Sequence, residues 1–176
     1  MARRTTFRLA LTSWETGRVE SGFGVKIGGL GAVLEELPEA LIQAGEKFNL
    51  DVKVEVLTPC FAHYDRKGLR KRAFKIPAVL DGVPFEYQVY SRKFSENLSV
   101  VYFWDDWQLN WTNARSIYPS DPAFAFKLYA GVCQAMAGYI RKVGFDTVHG
   151  HDYHVGLVPF YLGKSFLRRI PYHFTV

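Results

Sequence analysis

A parallel α/β sheet flanked by helices, with an antiparallel hairpin inserted at one edge, is the fold that the sequence predicts. Short apolar runs of strand length alternate with longer segments of helical periodicity, the pattern of parallel strands joined by crossover helices. A middle stretch holds three extended runs separated by turn residues with no helical segment between them, the pattern of antiparallel pairing. At 176 residues and 48% hydrophobic content, the chain suits one domain with a full core and leaves no room for a second of ordinary size.

The apolar run FRLALTSW, Phe7 to Trp14, reads as a buried strand, and the polar, glycine-rich ETGRVESGFGV after it reads as a loop. In GGLGAVLEELPEALIQAG the residues Leu30, Val33, Leu34, Leu37, Leu41 and Ile42 recur at helical spacing, with Gly45 as the expected stop. Pro38 inside that pattern predicts a kink or a local break. VKVEVLTP, Val52 to Pro59, alternates apolar and polar residues up to a proline and reads as the next strand. Between Ala73 and Trp104, AFKIPAVL, VPFEYQVYS and LSVVYFW are the three extended runs, and Asp81-Gly82 is a hairpin signal. Asp121 is then the candidate N-cap, Pro122 the first helical residue and Gly144 the terminator of a long helix. FDTVHGH reads as a buried strand, HVGLVPFYLGKSFL as a helix with Pro159 near its start, and PYHFTV as a final strand. A sheet strand at the last residue leads to the expectation that the chain is a piece of a longer protein.

No stretch approaches the ~20 consecutive apolar residues of a membrane-spanning helix. The basic N-terminus, Met1 to Thr6, lacks a following apolar signal region, so a cytoplasmic protein with no membrane partner is expected. Cys60 and Cys133 are far apart with no CxxC spacing, which suggests two small core residues and neither a disulfide framework nor a zinc site. The net charge of +5 and the run RKGLRKR, Arg66 to Arg72, raise nucleic acid as a partner. No nucleic-acid motif surrounds the run and the aromatic residues do not interleave with it. A solvated basic loop or strand edge is expected instead, and no nucleic-acid partner; an anionic partner such as a sugar nucleotide is the other reading. The aromatic run YFWDDWQLNW, Tyr102 to Trp111, offers stacking faces for sugars, although core and rim packing explains most such runs.

Two short segments carry chemistry. KIGGLG, Lys26 to Gly31, lies between the first strand and its helix, where backbone N–H groups receive anions at the carboxyl end of a parallel sheet. Glycines allow close backbone approach and lysine offers a point charge to a phosphate. The segment matches neither a Walker A loop, which needs GK followed by Ser or Thr, nor GxGxxG, which would need a glycine at Ile27. A tight structural turn is therefore an equal reading of the loop on its own.

VHGHDYH places His149, His151, Asp152 and His154 at the carboxyl end of a strand. His149 and His151, two apart, project on one side of an extended chain. Such a pair can bind metal, but further ligands would be needed and little chain follows. The favoured reading is that the histidines and Asp152 hydrogen-bond hydroxyl groups or each other, with Asp152 also placed to cap the next helix. Carboxylate and neutral imidazole both accept from sugar hydroxyls.

In their order and separation, roughly 120 residues, KIGGLG and VHGHDYHVGLVPFYL resemble the N-terminal domain of the glycogen and bacterial starch synthases. These are retaining glycosyltransferases (family 5) of the GT-B fold, with the patterns Lys-x-Gly-Gly-Leu and His-x-His-Asp-Trp-His. The intervening YPSDPAFAFKLYAGV is similar to the family's segment leading into a long helix, so the resemblance spans nearly the whole chain. It implies a Rossmann-like sheet over residues 1–176 as the N-terminal half of a GT-B enzyme, with the C-terminal Rossmann-like domain as its missing partner. It further implies transfer of glucose from ADP-glucose or UDP-glucose to an α-1,4-glucan with retention, without cofactor or protein metal.

Lys26, Gly28 and Gly29 would then face the donor's diphosphate and glucose, and Asp152 would stand at the reaction centre. Tyr153 takes the position of a tryptophan lining the acceptor channel, and Tyr118 matches an acceptor-side tyrosine. His151 and His154 would lie at or behind the sugar. ETGRVESGFGV is several residues longer than the family's usual version, and the family's threonine-isoleucine-histidine-asparagine motif would come after PYHFTV. The isolated chain is expected to be inactive. A noncatalytic carbohydrate-binding or interaction module on the same fold is the alternative.

Overall fold

The computed structural model describes residues 4–113 and 115–176, so the first part of the basic N-terminal segment lies outside the described residues. The strands are β1 (Thr5–Thr12), β2 (Leu50–Pro59), β3 (Arg70–Leu80), β4 (Val83–Lys93), β5 (Leu98–Trp104), β6 (Thr147–His151) and β7 (Tyr172–Thr175). They form one sheet in the order β3-β4-β5-β2-β1-β6-β7. β5, β2, β1, β6 and β7 pair in parallel, while β4 runs antiparallel to both β5 and β3. Of the three extended runs in the middle of the chain, only β3 and β4 make the antiparallel edge. The third, β5, turns back into the parallel sheet beside β2.

The hairpin turn follows from its two residues. Asp81 and Gly82 have φ of 51° and 77°, the pair of positive values that a two-residue type I′ turn requires. The run RKGLRKR divides between a 3-10 turn, Arg66–Gly68, and the start of edge strand β3, with the Arg66 guanidinium 3.8 Å from the Trp104 ring centre. Tyr102, Phe103 and Trp104 of the aromatic run are buried, and Trp107 is exposed.

Helix α1 (Gly29–Lys47) runs unbroken through Pro38 and continues past Gly45. The proline ring removes one intrahelical bond, and the buried packing of Leu34 and Pro38 carries the helix across it. Gly45 is a contact residue and not a stop: a Cβ there would lie 2.2 Å from Val52 Cγ2, so its absence lets α1 settle on β2. Helix α2 (Pro122–Val143) has the expected ends, with the Asp121 carboxylate accepting from Phe124 N–H at 2.6 Å and Gly144 following at φ 78°. Tyr139 of α2 donates to Glu55 at 2.7 Å. Because Val52 and Glu55 are an odd number of residues apart on one strand, α1 and α2 cover opposite faces of the sheet.

The single helix expected after β6 is a 3-10 turn (Tyr153–Val155) followed by the short helices α3 (Val158–Leu162) and α4 (Lys164–Leu167). Gly163, at φ 80°, stands between the last two and interrupts the helical path. Cys60 and Cys133 are free and buried, and burial pushes both thiols up to about 12. Among the described residues no helix is long and apolar enough to cross a membrane.

The strand order positions the site. From β1 the chain moves outward through α1 to β2 on one side, while β6 and β7 lie on the other, so the connections leaving β1 and β6 diverge. A crevice opens at the carboxyl ends of those two strands, where open α/β sheets take ligands.

Candidate functional site

The loop after β1 begins with an excursion closed at its neck. Gly17 N–H donates to the Val25 carbonyl at 3.1 Å, and Gly17, Arg18 and Gly22 all have positive φ. A Cβ on Gly24 would lie 1.7 Å from the Gly17 carbonyl oxygen, so only glycine permits this crossing. Arg18 ties the excursion to α1 through Glu39 at 3.0 Å. The added length of this loop thus folds on itself, and Lys26 returns beside Glu15.

Glu15, 1% exposed, organises the glycine loop. Its Oε2 accepts from the N–H groups of Ile27 (2.9 Å), Gly28 (3.3 Å) and Gly31 (3.1 Å), and its Oε1 accepts from the Tyr118 hydroxyl. The partial positive charge at the start of α1 is therefore met first by a carboxylate of the chain itself. Sequence reasoning missed Glu15, because what brings it to the loop is the closed neck at Gly17 and Gly24. A carboxylate just after the first strand, ahead of a glycine-rich helix start, was the available signal.

Two N–H groups of the first turn, those of Gly29 and Leu30, find no acceptor among the described residues. The glycines here divide sharply. At Gly31 a Cβ would meet Glu15 Oε2 at 2.7 Å and Lys26 Cα at 2.8 Å, so an internal contact demands glycine. At Gly29 a Cβ would meet nothing within 4 Å, and at Gly28 only Glu15 Oε1 at 4.0 Å. Gly28 is extended, and neither residue has positive φ. Nothing inside the chain requires glycine at those two positions. The Lys26 ammonium is exposed and paired with Glu35 at 2.9 Å, a hydrogen bond and charge that raise its pKa.

Across the crevice, His149 and His151 lie on one side of β6 with ring centres 4.0 Å apart. His149 Nε2 is 2.8 Å from Thr175 Oγ1. His151 is 4% exposed and its Nε2 has no hydrogen-bond partner. Burial, reinforced by His149, lowers its pKa to about 4, so it is neutral at pH 7. A cavity of about 200 Å³ is lined by Leu30 and Val33 of α1 together with His151, Asp152, Thr175 and Val176. The start of α1 and the end of β6 therefore share one hollow.

Asp152 has φ 69° and ψ 158°, a conformation that suits glycine and costs an aspartate about 1–3 kcal/mol. Its N–H donates to the Thr175 carbonyl at 2.8 Å, its Oδ1 accepts from Tyr153 N–H at 2.6 Å, and its Oδ2 is 3.5 Å from His154 Nδ1. The expected cap is thus present, on a 3-10 turn. His154 is packed among aromatic rings, with centres at 3.8 Å (Tyr153), 4.9 Å (Tyr118 and Tyr129) and 5.9 Å (Trp14). Burial lowers its pKa against the opposing charges of Asp152 and Glu15. Tyr118 joins both halves, bonded to Glu15 and beside His154, and burial together with Glu15 raises its pKa. Tyr153 is 65% exposed at the rim.

The fold thus gathers Gly28, Gly29, Tyr118, His151, Asp152, Tyr153 and His154 at one rim, with the Lys26 ammonium turned to Glu35. Among the described residues no group of three or more His, Cys, Asp or Glu is placed to hold a metal ion. The arrangement offers free N–H groups at a helix start for an anion, a strained carboxylate, and neutral imidazoles beside exposed aromatic rings.

A family model described as the starch synthase catalytic domain matches residues 9–176. The glycogen synthase of Chlamydia trachomatis is 32% identical over 138 residues, covering 76% of this chain and 27% of that protein. That of Chlamydia abortus is 30% identical over 161 residues, covering 87% of this chain and 30% of that protein. The chain spans between a quarter and a third of the length of these curated relatives. Among solved structures, the catalytic domain of starch synthase IV from Arabidopsis thaliana bound to ADP and acarbose superposes with a TM-score of 0.72 at 20% identity. The match covers 97% of this chain and 33% of that one. At that identity the likeness is one of fold.

Proposed function

Because the chain belongs to the starch synthase catalytic domain family, we propose that it is the N-terminal half of a glycogen or starch synthase-type glucosyltransferase. The whole protein would transfer glucose from a nucleotide sugar, ADP-glucose or UDP-glucose, to the end of an α-1,4-glucan with retention. One observation carries this reading: Gly28 and Gly29 sit at a helix start facing open space, with no contact or backbone angle that requires glycine. A bare helix start with two unpartnered N–H groups suits the close approach of a diphosphate.

Transfer creates negative charge on the departing diphosphate and positive charge at the anomeric carbon. The N–H groups of Gly29 and Leu30, the α1 dipole and Lys26 would stabilise the first, with Lys26 exchanging Glu35 for phosphate. Glu15 and Tyr118 would hold the loop in its donor-ready shape. Asp152, fixed by Thr175 and Tyr153, would meet the reacting sugar, and its charge suits a positive centre. His151, neutral and unpartnered, would bond a sugar hydroxyl in the hollow. Tyr118 and Tyr153 would offer faces to the acceptor glucan, with His154 packed behind them. No step in this scheme calls on a metal or cofactor.

The hollow of about 200 Å³ is small for a nucleotide sugar, which supports a second, C-terminal Rossmann-like domain as the other wall. The 176 residues alone would then have little or no transferase activity. The test is incorporation of radiolabelled glucose into a glycogen primer by the full-length protein, offered ADP-glucose and UDP-glucose separately. Elongation from one donor is expected. Glycogen binding without transfer from either would mean the noncatalytic carbohydrate-binding module instead.

A further inference from the structure

The face of the sheet covered by α2 carries a second concavity, toward the amino-terminal ends of the parallel strands and away from the α1 start. Glu55 is opposite Ser99, and Ser99 opposite Lys93; one row on, Ser91 is opposite Arg70. These pairings put Lys93 on the same face as Glu55, and strand alternation adds Lys53 and Ser91 with its partner Arg70. The β3–β4 pairing then shifts register between Lys71 and Lys75, and Arg72 lies within that irregular stretch. The result is a cavity of about 390 Å³ lined by Lys53, Arg70, Arg72 and Lys93 together with Ser91 and Ser99.

Its charges are unbalanced. Glu55 is already engaged by the Tyr139 hydroxyl and by Arg8 at 3.7 Å. Lys53 is 3.6 Å from Asp51. Among the described residues Arg70, Arg72 and Lys93 have no acidic partner within ion-pair distance, and Arg72 Nε is buried with no hydrogen-bond partner at all. The other carboxylate on the cavity wall, Glu96, is exposed. Arg92 lines the cavity as well, with its guanidinium laid over the Phe23 and Phe94 rings, so cations outnumber the two carboxylates on the wall, and serine hydroxyls and Asn97, whose amide donates to Asp51 at 2.9 Å, complete its polar lining.

We propose that this cleft binds a phosphorylated sugar, its phosphoryl group against Arg70, Arg72 and Lys93 and its hydroxyl groups against Ser91, Ser99 and Asn97. Guanidinium groups match phosphate oxygens, and hydroxyls and amides match a polyol. The hollow is larger than a phosphate ion needs and is concave where a nucleic-acid strand would call for an extended track with stacking rings. The inference does not depend on the reaction proposed for the opposite end of the sheet.

The test is calorimetric titration of the full-length protein with glucose 6-phosphate, inorganic phosphate, glucose and a short single-stranded RNA. Saturable binding of glucose 6-phosphate is expected, at least about tenfold tighter than phosphate and weakening as salt is raised, with no binding of glucose. Lys93→Glu, at an exposed position at the end of β4, should weaken it by about tenfold or more, since attraction becomes repulsion. Arg72→Gln should weaken it also, and Lys26→Ala, at the other end of the sheet, should not. The proposal is overturned by absence of saturable binding, by affinity unchanged in Lys93→Glu, by phosphate binding as tightly as the sugar phosphate, or by RNA binding more tightly than either.

Discussion

Glu15 Oε2 lies 3.1 Å from the Gly31 N–H, placing a buried carboxylate of the chain at the start of α1. The same oxygen takes two further N–H groups, so this carboxylate defines the loop that Lys26, Gly28 and Gly29 belong to. Removing it should be felt in stability. Glu15→Gln keeps an acceptor but loses the charge, and should cost about 1–2 kcal/mol; Glu15→Ala strands four donors, three N–H groups and the Tyr118 hydroxyl, and should cost about 3 kcal/mol or more. Urea denaturation of both variants measures this, and a neutral Glu15→Ala would show that the loop is held by something else.

The glycines give the sharpest separation of structure from function. Gly29→Ala introduces a methyl group into open space in the first turn of a helix, and should leave stability unchanged or raise it by up to about 1 kcal/mol. Gly31→Ala drives a methyl group into Glu15 and Lys26 and should lower the melting temperature by several degrees. Donor affinity should fall in both. A Gly29→Ala enzyme with wild-type kinetics would remove the observation on which the proposed function rests.

Lys26→Ala should behave as a functional variant. Its ion pair with Glu35 is exposed on both sides and screened by solvent, so its loss should leave stability nearly unchanged, while turnover should fall by about tenfold or more. An unchanged rate with a reduced melting temperature would reverse the assignment.

Acid should loosen the crevice before it denatures the sheet. His151 has a folded pKa of about 4 against 6.5 for the free side chain, so between those values the unfolded chain binds the proton more readily. Its contribution to stability is complete above pH 6.5 and is lost as the pH falls toward 4. His149 and His154, also lowered by burial, act in the same direction. Melting temperature measured from pH 7 to pH 4 should fall, and His151→Asn should flatten the slope; an unaltered slope would mean that His151 is solvated.

Much of this fold was legible because its punctuation is local. Asp121, Pro122 and Gly144 define α2 by capping chemistry alone, and Asp81-Gly82 defines its turn by backbone angles alone. Gly45 was misleading for the opposite reason: a glycine near a helix end signals a stop, and only its approach to Val52 shows that it is a packing contact. The return of β5 to the parallel sheet rests on long-range pairing with β2, which no window of sequence contains. At the site, the glycine loop and the histidine strand were visible as motifs, whereas Glu15 and the free N–H groups became visible only once the loop had closed at Gly17 and Val25.

Asp152 lies in a backbone region that glycine occupies freely, and it gives up a stabilising substitution by being aspartate. Asp152→Gly would relieve about 1–3 kcal/mol of strain and lose the bond from Tyr153 N–H, worth about 1 kcal/mol. A lineage released from selection on its chemistry would therefore find, at this position, a change that folds as well or better. Aspartate at residue 152 thus stands against the preference of the backbone that carries it, a cost that the role proposed for its carboxylate would explain.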